Sequence, residues 1–163
     1  MTTALATGTQ QKFWGMVETA FNTVQKPVAA DALPLISLEI SPTQEYLKNM
    51  ERTGTASLLN EVAGKEAGTW SATFYVKPNG SSATTAPDCG AILKAAFGYE
   101  DLTTDVTYSC QSSGADKTEP LSLQFHKTAG AQHYETASGC WVESLEFSIG
   151  ANELATITAS GGF

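Results

Sequence analysis

Basic residues are scarce in this chain. Nine Lys and Arg face seventeen Asp and Glu across 163 residues, for a net charge of −8. Charged residues reach only 16%, against roughly 25% in an average soluble domain. A protein that grips nucleic-acid phosphates needs clustered Lys and Arg. No such cluster exists here, so a backbone-gripping role is excluded, and the acidic balance repels polyanions. No run of 18 apolar residues occurs, so no segment reads as a membrane-spanning helix. Residues 1–11 have no early Lys or Arg and no apolar stretch, so they do not read as a secretory signal. Three cysteines, Cys89, Cys110 and Cys140, are far apart and odd in number. That pattern is no disulfide framework, and free thiols are expected. Phosphate-cradling glycine loops, GxSxG elbows and HExxH helices are all absent.

What is abundant is small and hydroxyl-bearing: 22 Ala, 21 Thr and 14 Ser. The length suits one domain and a core that needs no covalent staple. Trp14, Trp70, Trp141 and seven Phe are spread along the chain, which argues against disorder. The expected organisation is a flexible lead-in over 1–12 and a single β domain over 13–163.

Period-2 alternation carries most of the fold reading. Residues 35–40 place Ile36, Leu38 and Ile40 on one strand face, with Pro42 stopping the strand. Residues 69–77 place Trp70, Ala72, Phe74 and Val76 on one face, before a Pro78-Asn79-Gly80 turn. Further strands are expected at 106–110, 121–127, 133–137, 140–149 and 153–159. Trp141, Leu145, Phe147 and Ile149 share a face that Glu143 interrupts. Residues 13–24 suit a helix or a strand equally. Residues 88–97 read as the one short helix, capped by Asp88 and ended by Gly98 in the left-handed position. Its apolar stripe is Cys89, Ile92, Leu93, Ala96 and Phe97. Residues 41–68 are polar, glycine-bearing and too long for an ordinary connection, and read as a long loop that orders on assembly. The fold class is therefore mainly β: an antiparallel β-sandwich or barrel with one short flanking helix and that loop.

Chemistry-bearing residues are sparse. His126 and His133 with Cys110 or Cys140 match no metal-ligand spacing. Glu143 and Glu146, three apart in a strand, point to opposite faces and so make no catalytic pair. Glu100 and Asp101, or Asp105, stand in no recognisable motif. Asn79-Gly80-Ser81 matches a glycosylation sequon but serves equally as a tight turn. Trp70 and Trp141 fit core or interface positions, and would stack sugars if exposed. The expectation is no enzyme, no cofactor and no metal.

The order of segments resembles one family. Trp70-Ser-Ala-Thr-Phe-Tyr-Val-Lys-Pro-Asn-Gly80 is followed by Thr85-Ala-Pro-Asp-Cys-Gly-Ala-Ile-Leu-Lys-Ala-Ala-Phe-Gly98. Then come Val106-Thr-Tyr, Leu121-Ser-Leu-Gln-Phe-His, the 139–150 segment around Trp141 and Thr156-Ile-Thr-Ala-Ser-Gly-Gly-Phe163. This order is similar to the tail tube (major tail) proteins of long-tailed bacteriophages, over residues 16–163 and best from Gly64 onward. The family has a strand, a Gly/Ser/Thr loop and an APxxGxLLxAxxG-like helix in this order.

The resemblance implies a virion protein made in the host cytoplasm. Its subunits form six-fold or pseudo-six-fold rings that stack into a tube for DNA delivery, and the DNA passes without specific binding. It also implies tape-measure, terminator and baseplate partners, and an early loop that touches the neighbouring ring. On that reading Glu45, Lys48, Glu51, Arg52, Leu58 and Leu59 are the inter-ring contacts. A single-domain subunit and half of a duplicated product both fit. The alternatives are another tail ring component, such as a terminator or baseplate protein, and a carbohydrate-binding or adhesin-like β-sandwich. A small hydrolase built on Glu143 or Asp105 is the enzymatic rival.

Overall fold

The computed structural model describes residues 10–47, 62–77, 82–110, 119–129 and 131–163. Eight strands and one α-helix appear among them. They are β1 (Gln10–Val17), β2 (Leu35–Leu47), β3 (Val62–Tyr75), α1 (Gly90–Phe97), β4 (Gly98–Asp101), β5 (Thr107–Cys110), β6 (Leu121–Ala129), β7 (Ala131–Ser148) and β8 (Thr156–Gly162). Six of the strands form one antiparallel sheet in the order β1-β6-β7-β8-β3-β2, and β4 and β5 make a separate ribbon.

The fold turns on β7. Its first half pairs with β6, from Ala131 opposite Ala129 to Cys140 opposite Leu121. Its second half pairs with β8, from Trp141 opposite Gly162 to Ser148 opposite Thr156. One long strand thus hands the sheet from one partner to the next, a corner device of β-sandwiches. The expected separate strands at 133–137 and 140–149 are one element. The sheet does not close: Trp14 bridges Ala32, and the Leu33 N–H donates to the Phe13 carbonyl at 2.8 Å. These contacts tether the lead-in of β2 to β1 without a full ladder. Residues 13–24 resolve as strand over 13–17, followed by turn, and β1 begins at Gln10.

Alternation places the core. Trp70, Ala72 and Phe74 on β3 meet Ile157 and Ala159 on β8, and Leu121 and Leu123 on β6. Ile92 and Ala95 of α1 lie over them as a lid. Trp70 is 2% exposed, and its indole N–H donates to the Trp141 carbonyl at 3.2 Å. Phe13 stacks on Phe125 at 5.2 Å between ring centroids. Glu18 is buried beside this core, and its carboxylate is fully employed. One oxygen accepts from the Ser122 hydroxyl at 2.6 Å and the Gly139 N–H at 2.8 Å. The other accepts from the Thr23 N–H at 3.2 Å. A buried carboxylate is tolerable only when so bonded, and here it fastens the 18–23 turn to β6 and β7.

Several local expectations change. The α1 N-cap is Cys89 without a side-chain cap bond, not Asp88, so the helix starts two residues later. Gly98 does take the left-handed end, at φ 81°. The buried helix positions are Gly90, Ile92 and Ala95, with Leu93, Ala96 and Phe97 only half-buried. Tyr108 on β5 donates to Glu100 on β4 at 2.8 Å, locking the ribbon against Gly90. Burial first, then the Glu100 carboxylate, pushes the Tyr108 phenol upward.

Candidate assembly surface

Residues 41–68 hold the largest correction. Their two flanks, 41–47 and 62–68, are not loop but paired strand, continuing β2 and β3 outward. Pro42 pairs opposite Gly68 within the ladder rather than ending it. It can do so because β2 is an edge strand, where a missing N–H has no partner to disappoint. Polar residues on both faces remove the alternation that would have announced the strand.

This ribbon leaves the body. β8 pairs with β3 from Thr69 to Tyr75 only. Beyond that, Gly68 and Phe163 exchange two backbone hydrogen bonds at 3.1 Å. A Cβ at Gly68 would collide with the Phe163 ring, so only glycine admits this clasp. Past Gly68, among the described residues, β2 and β3 pair with each other alone. The arm spans about 20 Å at roughly 3.3 Å per residue. A bulge sets Glu45 opposite Gly64 and Lys65, between the Gln44–Glu66 and Tyr46–Ala63 pairs, which twists a ribbon locally. Every arm residue from Ser41 to Leu47 is exposed. Tyr46, Leu47 and Val62 present large apolar side chains there, and Val62 is 54% exposed. A lone two-stranded ribbon is marginal in water, and this one carries uncovered apolar surface.

Of the anticipated contact residues, Glu45 lies on the arm and is exposed. Lys48, Glu51, Arg52, Leu58 and Leu59 lie outside the described residues. Sequence reasoning missed Tyr46, Leu47 and Val62. The signal for them was the long apolar side chains that flank a polar stretch, which a loop reading discards.

Two grooves flank the body. One, of about 660 Å3, lies at the foot of the arm, walled by Phe21, Lys65, Glu66, Trp141, Glu143 and Phe163 among others. Trp141 donates its indole N–H to Glu143 at 2.9 Å. A bulge at Glu143, between the Val142–Gly161 and Ser144–Ser160 pairs, breaks the expected face of Trp141 and Leu145. Leu145 and Val142 pack on the core, while Trp141 turns out to solvent. A similar slip at Ile36 on β2 turns Leu35 inward and leaves Ile36 exposed.

The other groove, of about 730 Å3, runs over the outer face of β1 and β6. Trp14, His126 and Tyr134 line it, with His126 stacked on Tyr134 at 4.3 Å. His126 thus faces away from Cys140, a core residue with no exposed surface. Among the described residues no three His, Cys, Asp or Glu side chains gather as a metal site. All three cysteines are free: Cys89 and Cys140 are buried and Cys110 is exposed. Burial, and then the Asp88 charge, pushes the Cys89 thiol up to about 12. Burial, and then the charge of Glu18, pushes Cys140 up to about 12, against the lowering effect of its bond to the Leu123 backbone.

No protein-family model matches the chain. No curated protein matches it either. Among solved structures, a chain of the SPP1 tail tube, from a hybrid solid-state NMR and cryo-EM structure, is similar at a TM-score of 0.47 and 15% identity. The match covers 93% of this chain and 72% of that one.

Proposed function

We propose that this protein is a non-enzymatic structural subunit that assembles with copies of itself into stacked rings, forming the tail tube of a long-tailed phage. The observation that carries the reading is the β2–β3 arm. Among the described residues it extends past its last supporting strand and exposes Tyr46, Leu47 and Val62, apolar surface that a neighbouring subunit would cover. Among the described residues β2 is also the edge of the sheet, a place for pairing with another chain that monomers normally blunt. The order of segments from Gly64 to Phe163 supports the same reading.

On this reading residues 13–163 are one domain and the subunit belongs to the virion tail. Glu45, Lys48, Glu51, Arg52, Leu58 and Leu59 belong to the inter-ring contact. Tape-measure, terminator and baseplate proteins are the neighbours at the tube ends. The lumen is acidic and lets duplex DNA slide, as a net charge of −8 without basic clusters favours. Negative-stain microscopy of the purified protein at high concentration tests the reading. Rings or tubes are expected, and monomers alone overturn it. Tight, salt-sensitive duplex binding by the assembled tube would remove the acidic-lumen part.

A second reading rests on the aromatic groove over β1 and β6. Trp14, His126 and Tyr134, with Gln124 beside them, resemble the stacking shelf of a carbohydrate-binding module. A glycan-array screen separates the two: sugar binding by a protein that never assembles favours the module.

A further inference from the structure

Each aromatic wall of the arm-foot groove is fixed by a different device. Phe21 lies against Gly139. The turn that carries Phe21 is fastened by the buried Glu18 carboxylate, and by the Ser138 hydroxyl donating to the Asn22 side-chain carbonyl at 2.6 Å. Phe163 lies on Gly68, in the clasp that follows β8. Trp141 settles on Gly162, where any Cβ would collide with its indole. Its N–H bond to Glu143 fixes the ring's orientation, yet the residue stays 37% exposed. A shelf already held in place loses little freedom when a ligand lies on it.

The charges around this shelf are mostly negative. A smaller groove of about 250 Å3 adjoins the first, sharing Thr69 and Glu143 and adding Glu39. The trough made by the two is lined by three carboxylates, Glu39, Glu66 and Glu143, against the single ammonium of Lys65. The indole adds to that sign. A carboxylate that accepts from the indole N–H pushes electron density into the ring, and the tryptophan face is the best aromatic partner for a cation. Among the described residues Glu143 engages the indole through Oε1 alone, which leaves Oε2 for the cation itself.

We propose that this trough binds an arginine side chain within an extended segment of a partner protein. The site goes beyond the tail-tube reading and does not rest on it. Arginine suits the trough better than lysine, because a planar guanidinium stacks on an indole while its N–H fork reaches a carboxylate. A segment suits it better than a free small cation, because a groove of about 660 Å3 that continues into one of about 250 Å3 is far larger than one guanidinium. This chain holds a single arginine, Arg52, so a segment rich enough in arginine to supply the ligand belongs to another protein.

The test follows the tryptophan indole N–H signals of isotope-labelled protein at low concentration, with Trp141 assigned by its loss in Trp141→Phe. The probe is a Gly/Ser octapeptide with one central arginine. The Trp141 signal is expected to move saturably while those of Trp14 and Trp70 stay. The same peptide with neutral citrulline should bind about tenfold more weakly. Glu143→Gln should weaken the arginine peptide about fivefold, and Lys65→Gln should tighten it. Glu143 and Lys65 are exposed or half-buried, and circular dichroism checks that both variants are folded. Equal binding of the citrulline peptide, or wild-type affinity in Glu143→Gln, overturns the cation site. Arginine amide binding as tightly as the peptide overturns the segment. A Trp141 shift that grows with protein concentration alone and vanishes in Arg52→Gln makes a second copy the occupant and overturns the separate partner. None of these results touches the tail-tube reading, which microscopy decides.

Discussion

The inner and outer halves of the β2–β3 hairpin share one ladder and differ in everything beyond it. In the inner half, Trp70, Ala72 and Phe74 alternate into a core built by β8, β6 and α1, and Trp70 is 2% exposed. In the outer half the same two strands continue, but among the described residues no third strand or helix meets them, and Val62 is 54% exposed. Backbone pairing is therefore indifferent to where the apolar side chains go. What separates the halves, among the described residues, is whether a third element covers the two strands or none does.

Substitutions sharpen that contrast. The largest effect belongs to the inner half. Trp70→Ala removes a buried indole and its hydrogen bond to the Trp141 carbonyl, and should cost about 3–5 kcal/mol in urea unfolding of the single chain. A loss below about 1 kcal/mol would mean that β3 is not the spine of the core.

Next is Glu18→Ala, which strands the buried Ser122 hydroxyl and Gly139 N–H. Charge-assisted bonds of this kind make the expected loss about 3 kcal/mol. Glu18→Gln keeps one acceptor and should lose less than half of that. Equal losses would assign the effect to packing alone.

Titration tests the body in a different way. Folding raises the Cys89 and Cys140 thiols from the ordinary value of 9.0 to about 12. The fold then binds protons that the unfolded chain releases between these values. Their contribution is whole below pH 9 and declines as pH rises toward 12. Melting temperature should fall across that window, and fall less in a Cys89→Ala/Cys140→Ala variant. At pH 8 a thiol reagent should label Cys110 quickly in the native chain and all three cysteines after unfolding.

The smallest effect on the single chain, and the largest on assembly, belongs to the outer half. Leu47→Ser/Val62→Ser should leave single-chain stability within about 0.5 kcal/mol. It should sharply reduce ring or tube formation in sedimentation. A large stability loss would show that the arm is folded against its own body.

How much of this was legible depended on where the packing lay. The face formed by Trp70, Ala72 and Phe74 was readable because strict alternation records one wet side and one dry side. The Gly98 helix end was readable because the left-handed conformation selects glycine. The bulges at Ile36 and Glu143 were not, because one extra residue swaps every following side chain between faces and leaves no mark in composition. The arm was hidden because its residues face solvent on both sides in the single chain, so strand and loop look alike. The candidate contact residues were placed by resemblance, and only Glu45 of them lies on the described arm.

The sequence by itself determined a mainly β chain with one short helix, and a charge of −8 without a basic cluster. Both follow from local patterns and sums that any fold must respect. Only the tertiary structure decided that β7 serves two partners, that Pro42 lies inside a strand, and that a groove forms at the foot of the arm. Those depend on which distant residues meet, and hydrogen bonds between β7 and its two partners join positions whose local sequences do not name each other.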